Sequence, residues 1–195
     1  HKKFCDMQKD RFDEIKAKLS LEGVHFDISH IANSGGTVFG RYEGTNMIRP
    51  GNLFFGLPVQ SKAQDKIKIK PVLGFYTSVA FIKYIDKGQY ISYGMSYRTT
   101  KKTKVATIQV GFGDGYKRAL SNKQDVYING KRCRIIGRVS MDQTMVDVTN
   151  VDCKIGDKVE LIGPHISIVE VAKNAGTCYT DVYINITKRV ERIIL

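Results

Sequence analysis

The dipeptide Asn129-Gly130 limits the fold of this chain more than any other feature. It sits between two alternating runs in DVYINGKRCRIIGRV (125–139). An Asn-Gly pair so placed is the strongest short-range hairpin signal, because both residues adopt positive φ cheaply. The surrounding sequence agrees. β-Branched and aromatic residues dominate VLGFYTSVAFIKYI (72–85), KVATIQVGFG (104–113) and GDKVELIG (156–163). One helix interrupts. Ser167 and Glu170 form a capping-box pattern, Ile168, Val169 and Val171 supply the apolar positions, and Gly176 ends it. DVYINITKRVERIIL (181–195) reads as a closing strand. Residues 66–195 are therefore predicted to form a β-rich domain of short strands.

Residues 1–65 follow a different grammar. Phe12, Ile15 and Leu19 recur at helical spacing within 6–22, and Gly23 is a plausible stop. VHFDISHIANS (24–34) alternates like a strand and ends in small polar residues. NMIRPGNLFFG (46–56) is apolar but broken by Pro50-Gly51. Helix, strand and small-residue loop in succession suggest an α/β unit, and this stretch is too short for a complete domain. It reads as the last part of a barrel or doubly wound sheet. The first residue is His1 rather than Met, which points to a processed, tagged or partial chain.

Composition excludes several classes. With 42% hydrophobic and 26% charged residues the chain should fold. No apolar run approaches the roughly 20 residues of a membrane span, and no secretory signal opens the chain. The four cysteines lack a C-x-x-C spacing, so no metal site is expected, and scattered thiols suit a reducing cytoplasm. The net charge is +12, but the lysines are spread along the chain, as in KIKIK (66–70). That is a solvated face rather than a nucleic-acid surface, and neither nucleic acid nor a membrane is expected as a partner.

GRVSMDQTMVDV (137–148) raises a separate question. It starts as a strand, then places Ser140, Met141, Asp142 and Gln143 in a row before Val146 and Val148 resume the alternation. Such an insert either turns the chain or presents something.

Four motifs, in order, carry a resemblance: HIANSGG (30–36), IRPGNLFFG (48–56), YISYGMSY (90–97) with GFGDGYKRALSN (111–122), and INGKRCRIIGRVSMDQTMVDV (128–148). Followed by GDKVELIG and RVERI, they resemble the alanine racemase family of fold-type III pyridoxal-phosphate racemases. The resemblance covers essentially the whole chain. It implies the end of a TIM (β/α)8 barrel over 1–65 and a C-terminal β domain, Greek-key or barrel-like, over 66–195. The chain would then be roughly the second half of such an enzyme. It would work as a homodimer with active sites shared across subunits, on a small amino acid, in the cytoplasm.

The resemblance also assigns residues. Ser34, with the backbone of Gly51 and Asn52, would bind the phosphate of pyridoxal 5'-phosphate. A hydroxyl and backbone amides after a strand suit that task, although a plain turn would look the same. Arg49 would hydrogen-bond the pyridine nitrogen. A guanidinium does not readily give up a proton, so the nitrogen would stay largely unprotonated and the ring would be a weaker electron sink. Tyr93 would be the catalytic tyrosine, moving a proton on the face of Cα opposite a lysine and serving the partner subunit's cofactor. The Met141 amide would hold the substrate carboxylate, a task for which a fixed backbone donor is well suited. Otherwise Met141 would be a plug in a hairpin bend. Arg118 and Arg138 would line the entrance.

Some positions depart from the family. Thr180 stands where a tyrosine usually reaches the phosphate, which leaves Tyr179 as the candidate for that contact. Ser140 replaces a commoner cysteine, and Phe112 a tyrosine. No lysine stands in a family cofactor-lysine motif, so this chain alone is expected to be inactive. The implied activity is interconversion of L- and D-alanine for peptidoglycan. Racemization of serine or lysine, or a non-catalytic binding module, are the other readings.

Overall fold

The computed structural model describes residues 2–59 and 67–195. The chain divides into two compact units, His1–Val72 and Leu73–Leu195. The boundary expected at 65/66 falls outside the described residues.

The first unit opens with helix α1 (Lys2–Leu21). The pairs Lys9–Asp13 and Glu14–Lys18 lie one turn apart on its surface, each adding about 0.3–0.5 kcal/mol. The helix stops where Gly23 takes a φ of 79°. The strand expected over 24–34 does not form. Among the described residues that stretch has no ladder partner, and isolated backbone bonds and one side chain serve its backbone instead. Asn46 accepts from the Ser29 amide at 2.8 Å and donates to the Asp27 carbonyl at 2.6 Å. Alternation describes a strand only where a neighbour exists to pair with it. A short helix, α2 (Ser34–Val38), follows, N-capped by Asn33. A 3₁₀ turn, Gly51–Phe55, comes after Pro50.

The second unit is a six-stranded antiparallel sheet. Its strands are β1 (Phe75–Ile85), β4 (Thr103–Ile108), β5 (Asp125–Ile128), β6 (Lys131–Arg134), β7 (Thr144–Asp147) and β8 (Lys158–Ile162), in the order β6-β5-β8-β1-β4-β7. A separate two-residue pair joins β2 (Tyr90–Ile91) to β3 (Tyr97–Arg98). The hairpin forms as expected, with Ile128 opposite Lys131 and with φ of 44° and 85° at Asn129 and Gly130. β1 pairs with β8 through Ser78, and with β4 from Val79 onward. A single bridge, Ile135 to Val146, joins the two edges and makes the sheet a nearly closed barrel. Val105, Ile108, Val126, Ile128, Ile135, Val146, Val159 and Leu161 fill its core, all nearly inaccessible to solvent.

Helix α3 (Ile168–Ala175) has the predicted caps: Ser167 accepts from the Glu170 amide, and Gly176 terminates at φ 72°. The closing strand expected over 181–195 does not form. Helix α4 (Tyr179–Ile184) occupies its start. Beyond it Arg192 donates to the carbonyls of Ile186, Thr187 and Val190 at 2.7–3.0 Å. A side chain takes the hydrogen bonds that a ladder would have used.

No described helix is long and apolar enough to cross a membrane. Burial pushes the Cys133 thiol up to about 12, which keeps it protonated and inert.

Glu160 is the buried carboxylate of the barrel. It accepts from the amides of His165 and Ile166 at 2.6 and 2.8 Å, and lies 2.9 Å from His165 Nδ1. Burial pushes its carboxyl up, but these hydrogen bonds outweigh burial and the net shift is downward. A depressed carboxyl stabilises the fold above its unfolded value of about 4.3, and that stability is lost as pH falls through the lower, folded value. Urea unfolding at pH 5 and pH 3 should therefore show a smaller acid loss for Glu160→Gln than for the native chain. Equal losses would show that Glu160 does not govern acid stability.

Candidate active site

In the first unit, Ser34 and Gly51 meet. The Ser34 hydroxyl donates to the Pro50 carbonyl, and a Cβ on Gly51 would stand 3.3 Å from Ser34 Oγ. The Arg49 amide donates to Ala32 at 2.9 Å, which fastens the two segments together. The amides of Ser34, Gly35 and Gly51 donate to no other described residue. Asn52, next in the 3₁₀ turn, is half-buried. The exposed Arg49 guanidinium makes no ion pair among the described residues. Hydroxyl and unpaired amides so grouped suit an anion.

In the second unit, Tyr93 lies in a tight turn (Tyr93–Met95) between β2 and β3. Ser92, Gly94 and Met95 all have positive φ, at 66°, 66° and 50°. This strained turn leaves the Tyr93 side chain 69% exposed. Residue 137 must be glycine for the turn to sit where it does: its φ is 84° and a Cβ would lie 2.6 Å from that of Ser92. Ser92 Oγ donates to the Arg138 carbonyl at 2.8 Å. The Arg138 guanidinium rests against Gly94, 3.3 Å from where a Cβ would be.

The insert Ser140–Gln143 is a loop, turned by a Ser140 N–H to Gln143 carbonyl bond of 2.9 Å. Met141 is 55% exposed, so it does not plug the core. Its carbonyl accepts from Gly113 at 2.8 Å, and the Ser140 carbonyl accepts from Phe112 at 2.9 Å. The Met141 amide donates to no other described residue. Tyr93 and Met141 line one open cavity of ≈ 380 Å³, with Ser92, Ser140, Asp142, Gln143 and Met145. Tyr93 and Met141, whose amide is unpaired among the described residues, therefore line one cavity of ligand-binding size.

Arg118 and Arg138 are exposed and outside that lining. Tyr179 starts α4 and is buried. Because residues 179–184 are helical, Tyr179 and Thr180 diverge by about 100° rather than facing opposite ways as in a strand.

The family model for the alanine racemase C-terminal domain matches residues 72–194. The chain belongs to the alanine racemase family. The model for the N-terminal domain of alanine racemase matches residues 1–58. An alanine racemase of Halothermothrix orenii is 37% identical over 196 residues, covering 98% of this chain and 52% of that protein. The chain spans about half the length of the curated relatives it matches. Among solved structures, the alanine racemase of Clostridium difficile 630 in complex with cycloserine superposes with a TM-score of 0.90 at 31% identity, over 97% of this chain and 51% of that one. The enzyme of Bartonella henselae with covalently bound pyridoxal phosphate gives 0.83 at 33%, over 96% and 51%.

Within this alanine racemase-family chain, sequence reasoning did not single out Asp114, Gly137 or Arg189. The GFGDG run carried a signal for the first. Three alternate glycines mark close backbone approach, and Cβ atoms on Gly111 and Gly115 would stand 2.2 Å and 2.1 Å from carbonyl oxygens of Met141 and Asn185.

Proposed function

We propose that this chain is the part of a pyridoxal-phosphate-dependent alanine racemase that supplies a catalytic tyrosine, a carboxylate-binding amide and much of the phosphate site. The observation that carries this reading is the shared cavity of Tyr93 and Met141. The residues also fit the cofactor. Ser34 Oγ, the unpaired amides beside it and Gly51, whose missing Cβ leaves room against Ser34, make an anion cradle. Bound there, pyridoxal phosphate would supply the electron sink for the pair left when the Cα–H bond breaks.

The residues of this chain divide the remaining work. Ser34, Gly51 and Asn52 hold the phosphate. Arg49 donates to the pyridine nitrogen without protonating it, which restrains side reactions such as transamination. The Met141 amide holds the substrate carboxylate and so orients Cα. Tyr93 moves a proton at one face of Cα, and a lysine from polypeptide outside this chain serves the other face. A tyrosine that serves the partner subunit's cofactor makes dimerization part of catalysis. The product, D-alanine, would be made in the cytoplasm and supply peptidoglycan.

The test is racemization by the complete protein loaded with pyridoxal phosphate, beside this chain alone. Conversion of L-alanine faster than L-serine or L-lysine is expected from the complete protein, and none from the chain alone. A preference for serine or lysine would overturn the substrate. No racemization at all would favour a binding module.

A further inference from the structure

We infer that Arg189 is a positioning residue for the Met141 loop, and that it neutralises Asp142 so that the neighbouring amide can take an anion. The inference rests on the reading above, in which the Met141 amide binds the substrate carboxylate.

Two separate loops converge on Arg189. Its Nη2 lies 2.5 Å from Asp142 Oδ1, and its Nε 3.4 Å from Asp114 Oδ1. Asp114 in turn accepts from the Gly111 amide at 2.9 Å. The guanidinium lies against Gly113, where a Cβ would stand 2.3 Å from Nη1. Gly113 is the residue that donates to the Met141 carbonyl. Thr187 completes the link, donating through Oγ1 to the Gly113 carbonyl at 2.9 Å and through its amide to Asp114 at 3.1 Å. The C-terminal segment thus clamps loop 111–115 onto loop 140–143.

Both partners of the Arg189–Asp142 pair are about half exposed, and such pairs add little to stability. Placement and charge are the larger effects. Asp142 lines the cavity one residue from the amide assigned to the carboxylate. Left unpaired there, a carboxylate would repel an anionic ligand. A planar fork can engage two carboxylates at fixed angles, which a lysine cannot do as well. Binding in ground and transition states would suffer alike, so KM should carry the effect.

The experiment uses the complete holoenzyme. Arg189→Met should raise KM for alanine about 10-fold with kcat within about 2-fold. It should weaken propionate, which is alanine without its amino group, by a similar factor in titration calorimetry. Arg189→Lys, which keeps the charge, should stay within about 3-fold of the native KM. Adding Asp142→Asn to Arg189→Met should bring KM back to about that level, which a purely structural role would not do. A KM change below about 2-fold in Arg189→Met, or a double variant as impaired as the single, would overturn the inference. Thermal unfolding of each variant guards against misfolding, and Met141→Pro, which lacks the amide N–H, separates the two ideas. If Met141→Pro leaves propionate binding intact, the carboxylate assignment fails. If it weakens binding while Arg189→Met does not, the role of Arg189 alone fails.

Discussion

Tyr93→Phe in the complete racemase is expected to slow racemization by about 10²–10⁴-fold in at least one direction, the range that a positioned general acid or base contributes. The substitution removes one oxygen and keeps the ring. Because Tyr93 is largely exposed and no hydrogen bond to its hydroxyl is present among the described residues, the fold should not notice. Its turn is held by Gly137 packing and the Ser92–Arg138 bond, neither of which involves the phenol. Initial rates from L-alanine and from D-alanine decide the matter. An unchanged rate in both directions would remove Tyr93 from proton transfer.

The second large effect is expected from Gly111→Ala. Gly111 has a φ of −151°, which any residue adopts, so conformation does not demand glycine here. Space does. A Cβ would lie 2.2 Å from the Met141 oxygen and 2.3 Å from that of Ser140. Both are backbone atoms, with no flexible tip to swing aside. Relief requires loop 111–115 and loop 140–143 to part, breaking the Phe112–Ser140 and Gly113–Met141 bonds. Overpacking of this kind costs about 1–3 kcal/mol, which lowers Tm by several degrees in a domain of this size. KM for alanine should rise as the Met141 amide shifts. Thermal unfolding with steady-state kinetics tests both. A native Tm with a native KM would mean that the loops do not depend on this contact.

What could be read in the sequence was mostly local. The Asn129-Gly130 hairpin and the Ser167–Gly176 helix carry their own turn and cap chemistry within a few residues, and both formed as expected. The stretches 24–34 and 181–195 also looked like strands, yet a strand is defined by its neighbour, which alternation does not name. Side chains such as those of Asn46 and Arg192 took some of those backbone groups instead. The site divides in the same way. Family motifs pointed to Tyr93 and Met141, and the structure lines one cavity with both. Arg189 stayed invisible because its partners lie 47 and 75 positions earlier in the chain (189 − 142 and 189 − 114), and no periodicity links such distances.

The position of β8 in the sheet has a consequence for biosynthesis. It is the last strand to be made, yet it lies between β5 and β1. As the polypeptide leaves the ribosome, the β5-β6 hairpin and the β1-β4-β7 sheet can each assemble early, with only the short Ile135–Val146 bridge between them. Phe75 waits for Ile162, and Ile128 for Val159, before the halves are stitched together. Such long-range pairing is slow and leaves apolar strand edges uncovered in the interim. Until then the nascent barrel is two sheets whose facing edges stay open.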